Sequence, residues 1–241
     1  MWNFFKKKYP TPPLFKTDIH SHLLPNLDDG VSSFEEAVLI IELFQDAGFT
    51  KAITTPHIMN DYYRNTSDGI KQKADELRKI LLQKNIHFDI QFAAEYYFDE
   101  SLISLVSGGS EMLTFGDKYL LFETNTFAEP MLLNEFIFQL KVNGYKPVLA
   151  HPERYRYLHN NYNRIEDLVD RGVLLQVNAL SLTGFYSRPI QVAANKLVDM
   201  KMVHFLGSDC HNLKHAQLLK KAIGNKYFTK ALNLPLMNYS I

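Results

Sequence analysis

Short apolar runs alternate with longer amphipathic segments along nearly the whole chain, and that alternation leaves few folds open. An apolar run of four to eight residues reads as a buried strand, and a 3.6-residue period reads as a helix lying on a sheet. Strand-helix-strand order builds parallel sheets, because parallel neighbours need a long crossover. The expected strands are "PLFKTDIH", "TKAITTPH", "FDIQFAAEYY", "KYLLFETN", "KPVLAHPER", "VLLQVNA" and "MVHFLGSDCH". Helices are expected in "SFEEAVLIIELFQDAG", "SDGIKQKADELRKILLQKN", "PMLLNEFIFQLKVNG", around "RIEDLVDRG", in "IQVAANKLVDMK", and from about His215. Ser33 can cap the first helix with Glu36 at its capping-box position, and Gly48 ends it. Seven β-α units fit a barrel of the TIM type or a variant lacking one unit, with a doubly wound open sheet as the alternative. No linker or close repeat divides residues 1–241, so one domain is expected, with 1–13 as a flexible arm.

The strand ends are chemically uniform. In β-α barrels, reactive side chains project from the C-terminal ends of the strands. Here those ends carry His20 and His22, His57, Glu95, Glu123, His151, then Asp209 and His211, while the sixth ends in Asn178. Singly, each histidine would pass for a structural one; together they would converge on one rim. The Asp28-Asp29 pair in "TDIHSHLLPNLDDG" is counted as one further carboxylate. Gathering carboxylates inside a protein is costly unless cations neutralise them. Five imidazoles and four carboxylates exceed what one ion can use and suit two or three ions sharing bridging carboxylates. Without thiolates, the donors favour manganese, iron or zinc. Such ions about 3.5–4 Å apart polarise a phosphoryl oxygen and lower the pKa of a bridging water.

Composition removes several classes. Lys plus Arg number 26 and Asp plus Glu number 26, so no global basic field exists to hold nucleic acid. The one cysteine, Cys210, excludes an internal disulfide and suits a reducing cytoplasm. No apolar run approaches the ~20 residues of a membrane helix. In "MWNFFKKKYPTPP" the aromatics precede the lysines, the reverse of a secretory signal. Its lysines support at most peripheral contact with an anionic membrane, at ~1 kcal/mol each.

The segments "DIHSHLLPNLDDG", "TTPH", "AHPERY" and "SDCHN" resemble the signature motifs of the polymerase-and-histidinol-phosphatase (PHP) superfamily. The first of these, "AAEYY" and "AHPERY" together resemble its bacterial tyrosine-protein phosphatases, found with capsular and exopolysaccharide assembly genes. The likeness runs from about Thr17 to Asn212. It implies a distorted seven-stranded, TIM-like (β/α)7 barrel holding three metals, with manganese first among the candidates. It makes His20, His22, Asp29, His57, Glu95, Glu123, His151, Asp209 and His211 the metal ligands, with Glu95 and Glu123 bridging. Arg154 of "HPER" matches a phosphate-binding residue. Some relatives place a second such arginine after the last motif; "NLKHAQ" offers Lys214 or His215 instead. The implied activity is hydrolysis of phosphotyrosine in proteins by a metal-bridging hydroxide; the catalytic candidates are Arg154 on the phosphate and His57 or Asp209 as proton donor to the leaving phenolate. The implied partner is a tyrosine kinase of polysaccharide assembly.

Other residues take the plainer reading. His87, His159 and His204 lack the context of the strand ends. Asp18 is a candidate to orient a ligating imidazole, or else a strand acid bonded to backbone amides. Cys210 lacks the arginine that a thiolate phosphatase needs after five intervening residues, where Ala216 stands. Tyr96, Tyr97, Phe98, Tyr155, Tyr157 and Phe185 are candidates to wall a groove for a phenyl ring. The rivals to a protein phosphatase are a phosphatase of a small metabolite such as histidinol phosphate, a nuclease, and an idle metal-binding regulatory domain.

Overall fold

A computed structural model describes residues 13–241. In chain order it contains β1 (Thr17–Ser21), α1 (Phe34–Ala47), β2 (Lys51–Thr54), β3 (His57–Ile58), α2 (Ser67–Gln83), β4 (Asp89–Phe92), β5 (Glu95–Tyr97) and α3 (Glu100–Ser107). It continues with β6 (Tyr119–Glu123), α4 (Leu133–Val142), β7 (Lys146–Ala150), α5 (Tyr162–Asp170), β8 (Leu174–Asn178), α6 (Arg188–Asp199), β9 (Phe205–Gly207), α7 (Leu213–Ile223) and α8 (Lys226–Leu232). The expected arm lies outside the described residues except for Pro13, whose carbonyl accepts from the Tyr239 hydroxyl at 2.8 Å.

All strand pairing within the named strands is parallel, in two sheets ordered β1-β2-β4 and β3-β5-β6-β7-β8-β9. Two sheets appear where one ladder was expected, because the second and third strands each break. Pro56, with no N–H, interrupts the second between β2 and β3. The seam is still bonded: Ala93 donates to the Thr54 carbonyl at 2.9 Å and Glu95 to that of Pro56 at 3.2 Å. At the other end, Asp209 donates to His20 O at 2.8 Å and His22 to Cys210 O at 2.9 Å. Those bonds bring the exit of β9 back against β1, so the seven expected strands follow one another round the α/β fold.

The inner packing of this ring is Ile19, Ile53, Ala93, Phe115, Tyr119, Leu121, Val148, Ala150 and Phe205, all buried. Several share the two-residue period with a site residue further along the strand: Ile53 with His57, Ala93 with Glu95, Leu121 with Glu123. On β1, where Ile19 and His20 are consecutive, the pairing with β2 shifts register between Asp18 and Ser21. The helices cover the outside, α1 through Ala37, Val38, Ile40, Ile41 and Phe44.

Local chemistry explains most boundaries and corrects some. Ser33 Oγ accepts from Glu36 N–H as the cap of α1, but the Glu36 carboxylate accepts from Ser32 rather than closing a capping box on Ser33. The first strand begins at Thr17 instead of Pro13, because Phe15 turns away to pack on Phe49 and Phe228. The last expected helix starts at Leu213, capped by Asn212, and a further helix, α8, follows it. Helix α3, capped by Asp99, occupies a connection for which the periodicity named no helix.

Candidate metal centre

Nine side chains from six of the seven strand exits and one loop meet at one end of the ring. Glu95 stands at the centre, fully buried. Its Oε2 is 3.1 Å from His20 Nε2, 3.4 Å from His22 Nε2 and 3.2 Å from His57 Nδ1, and its Oε1 is 2.9 Å from His151 Nε2. Asp209 Oδ1 lies 3.4 Å from His20, 3.5 Å from His22 and 3.4 Å from His211. Glu123 approaches His57 at 3.2 Å and His151 at 3.8 Å. Asp29, the most exposed member at 59%, closes the outer side at 3.6 Å from His57 and 3.5 Å from His211. The strand-end expectation needs one refinement: His57 and Glu95 open β3 and β5, just past the breaks, rather than ending a continuous strand.

Three of the five imidazoles are aimed by a second bond, whereas His151 Nδ1 is buried without a partner. His20 Nδ1 donates to Gln176 Oε1 at 2.8 Å, and His22 Nδ1 to Asp28 Oδ2 at 2.7 Å. His211 Nδ1 donates to the main-chain oxygen of Asp209 at 3.0 Å. Such partners fix the tautomer and leave Nε2 to face the cluster. Asp28 therefore acts through His22, and it also receives the main-chain N–H of His57 and of Gly30. A Cβ on Gly30 would sit 2.5 Å from His22 O and 2.8 Å from Asp28 Oδ1, so the turn after "DD" can press on His22 only as glycine. His151 and Asp209 take left-handed backbone angles, φ 34° and 51°, unusual for residues with a Cβ and typical of side chains held in place by their surroundings.

Asp18 orients no imidazole. It accepts from the N–H and hydroxyl of Ser208 at 2.7 and 2.8 Å, tying β1 to the β9 exit, and burial pushes its pKa up to about 7.

Electrostatics mark the cluster as short of positive charge. Burial opposes a charged His20, yet Glu95 and Asp209 outweigh it and raise the imidazole to about 9. His22 is likewise raised well above its usual range, against burial, by Asp28 and its other carboxylate neighbours. Glu95 and Asp209 are held well below the usual carboxylate range despite burial, chiefly by His20. Asp28 falls to about 2, burial being overcome by His22.

Above the cluster opens a cavity of about 330 Å³ lined by Asp29, His57, Glu123, His151, Arg154, Tyr186, Asp209, His211, Asn212 and His215. His20, His22 and Glu95 lie beneath it, out of reach of solvent. Arg154 Nη1 is 3.2 Å from Asp209 Oδ2, and its guanidinium lies over the Tyr186 ring at 5.3 Å. Its partner is thus Asp209 and not the adjacent Glu153, which is buried and accepts from Asn178 N–H at 2.9 Å. Asn178 Nδ2 donates to the same Asp209 oxygen at 2.6 Å. Of the two substitutes for a second arginine, His215 lines the cavity, whereas Lys214 is exposed with its ammonium 5.7 Å over Phe185.

Among the aromatic candidates, Tyr96 and Tyr155 are buried and bonded, to Leu113 and Thr124 N–H respectively, and do not wall the cavity. Tyr186, next to the expected Phe185, does. Cys210 is buried, its thiol pushed up by burial and donating to Asn212 O at 3.4 Å. His204 accepts from Leu175 N–H and His159 bonds Glu153 O, so both serve the framework.

Sequence reasoning passed over Gln176, Asn212 and Tyr186 and weighed Asp28 only as the alternative to Asp29, not as a partner of His22. Gln176 was within reach of that reasoning, sharing the two-residue period of β8 with Asn178. Tyr186 was not, because only the turn after Gly184, at φ 84°, selects it over Phe185.

The donor set fits metal. Four overlapping groups bring their donor atoms within 4.8 Å of one another: His22, His57 and His211; His20, His22, Glu95 and Asp209; Asp28, Asp29 and His57; His57, Glu95 and Glu123. A carboxylate field strong enough to hold a buried imidazole protonated is one that cations relieve in the protons' place.

The family described as "Capsular polysaccharide synthesis, CpsB/CapC" matches residues 16–232. The chain belongs to this family. It is 30% identical over 237 residues to the tyrosine-protein phosphatase YwqE of Bacillus subtilis, covering 93% of this chain and 92% of that one. It is 28% identical over 222 residues to a putative tyrosine-protein phosphatase CapC of Staphylococcus aureus, covering 92% and 87%. A solved structure from work on YwqE of Bacillus subtilis and CpsB of Streptococcus pneumoniae, described as unique metal-dependent tyrosine phosphatases, superposes with TM-score 0.78 at 29% identity, over 93% of this chain and 96% of that one. An amidohydrolase from Mycoplasma synoviae shares the fold at TM-score 0.55 and 14% identity, over 92% and 83% of the two chains.

Proposed function

We propose that this CpsB/CapC family member is a metal-dependent tyrosine-protein phosphatase acting in capsular or exopolysaccharide synthesis. The observation that carries the reading is the single cavity in which a cation-seeking cluster faces Arg154. His20, His22, Asp29, His57, Glu95, Glu123, His151, Asp209 and His211 are the residues that would hold two or three ions, manganese first. When bound, such ions supply Lewis-acid polarisation of the phosphoryl group and a water of lowered pKa.

The protein's own groups do the rest. Arg154, kept charged by Asp209, offers N–H donors to non-bridging phosphate oxygens, where its planar fork suits the charge spread of the transition state. Asp209 anchors that fork, and its oxygens are already approached by Asn178, Arg154 and three imidazoles, which leaves none free to protonate a leaving group. His57, which lines the cavity wall, is the residue assigned to protonate the leaving oxygen where a proton is needed. A phenol leaves with little help, its pKa being near ~10. Tyr186 supplies an apolar wall for the substrate ring. The buried thiol of Cys210 takes no part. A cytoplasmic location, in keeping with that reduced cysteine, and a tyrosine kinase of polysaccharide assembly as protein substrate complete the reading. Among the described residues, no helix is long and apolar enough to cross a membrane.

Rates on a phosphotyrosine peptide, a phosphoserine peptide, histidinol phosphate and single-stranded DNA, before and after chelation, test this. Phosphotyrosine should be turned over fastest, with activity lost to the chelator and restored by manganese. Faster turnover of histidinol phosphate, or full activity after chelation, would reject it.

A further inference from the structure

A second hollow of about 230 Å³ lies beside the first and is walled mainly by apolar atoms of Ile58, Tyr63, Tyr96, Tyr97, Leu102 and Leu105. One ring separates the two. Tyr63 lies 5.6 Å from His57, nearly parallel at 16°, with His57 lining the metal-site cavity and Tyr63 the second hollow. The partition is built to hold its place. Met59 and Tyr63 exchange main-chain hydrogen bonds at 2.9 and 2.8 Å, and Asn65 Nδ2 donates to both Leu27 O and His57 O.

The rim carries one unsatisfied charge. Arg64 is exposed and its Nε donates to Asn60 O at 2.6 Å, yet among the described residues no carboxylate pairs with its guanidinium. The neighbouring Asp99 does not serve: it caps α3 through Leu102 N–H and accepts from Asn60 N–H. A small phosphate ester in the metal-site cavity would use neither the hollow nor the cation. An extended polypeptide would, since residues ~3.3 Å apart put the second neighbour of a phosphotyrosine about 7 Å along, on the same face.

Resting on the phosphatase reading above, we infer that the second hollow is a peptide subsite, taking an apolar side chain close in sequence to the phosphotyrosine while Arg64 pairs with an acidic residue of the same segment. The substrate class is then an acidic, apolar-flanked phosphotyrosine segment of a protein.

The test compares kcat/KM for a phosphotyrosine peptide with aspartate and leucine flanks against that for para-nitrophenyl phosphate, in the metal-loaded wild type, Arg64→Glu and Leu105→Gln. The ratio of peptide to small ester should fall about tenfold in Arg64→Glu and about threefold in Leu105→Gln, chiefly through KM. Replacing the peptide's aspartates by lysines should restore the ratio in Arg64→Glu and lower it in the wild type. Ratios within twofold of wild type in both variants, while the wild type still hydrolyses the peptide, overturn the subsite and leave the phosphatase reading standing. A wild type that hydrolyses no phosphotyrosine substrate overturns both.

Discussion

Ile19 and His20 are neighbours on β1, yet one joins an apolar packing and the other a cluster of charge. The same contrast repeats at Leu121 and Glu123, Ala93 and Glu95, and Ala150 and His151. Towards the strand starts the ring is filled by aliphatic and aromatic groups, with Phe205 edge-on to Phe115 at 5.6 Å and to Tyr119 at 5.3 Å. Towards the strand ends it holds five buried site residues, His20, His22, Glu95, His151 and Asp209. Burial stabilises the first region, at roughly 1.5–3 kcal/mol for each large side chain. It works against the second, where desolvated carboxylates need positive partners. One set of strands thus carries a region that holds the fold and a region that depends on it.

Substitutions can pull the two apart. Phe205→Ala should cost about 3–5 kcal/mol of unfolding free energy in denaturant titrations, while its folded fraction keeps the wild-type metal load; loss of metal without loss of stability would erase the distinction. Arg154→Ala should leave stability and metal content unchanged but lower kcat/KM on phosphotyrosine peptide roughly 10²-fold, about 2.7 kcal/mol of transition-state binding. Arg154→Lys should recover only part, since an ammonium lacks the bidentate fork. A fall below threefold would make Arg154 structural. Asp28→Asn touches the border between the regions, weakening the bond that aims His22. Its metal affinity, read by titration against a competing chelator, should drop about tenfold; an unchanged affinity would show that His22 needs no orienting carboxylate.

Much of this contrast is legible in the amino-acid order because both regions use the same two-residue period. Apolar runs that end in His, Glu or Asp already locate the strands and the ligand candidates. What the order hides are departures from that period. The pairing of β1 shifts register between Asp18 and Ser21, and the left-handed angles at His151 and Asp209 arise only once the surrounding strands are in place. Asp18 reads as an orienter from its position beside His20, but orientation depends on which acid reaches the ring, and Asp28 gets there from a loop. Helix α3 spans only eight residues, too short for its periodicity to stand out.

Glu95 faces four imidazoles, so metal content and turnover measured on the same samples of wild type and Glu95→Gln put the metal centre to its sharpest trial. The wild type should carry two or three ions per chain. Glu95→Gln, folded by circular dichroism, should lose bound metal and activity together. A Glu95→Gln protein with the full complement of ions and normal turnover would contradict the assignment of this buried cluster as the catalytic metal centre.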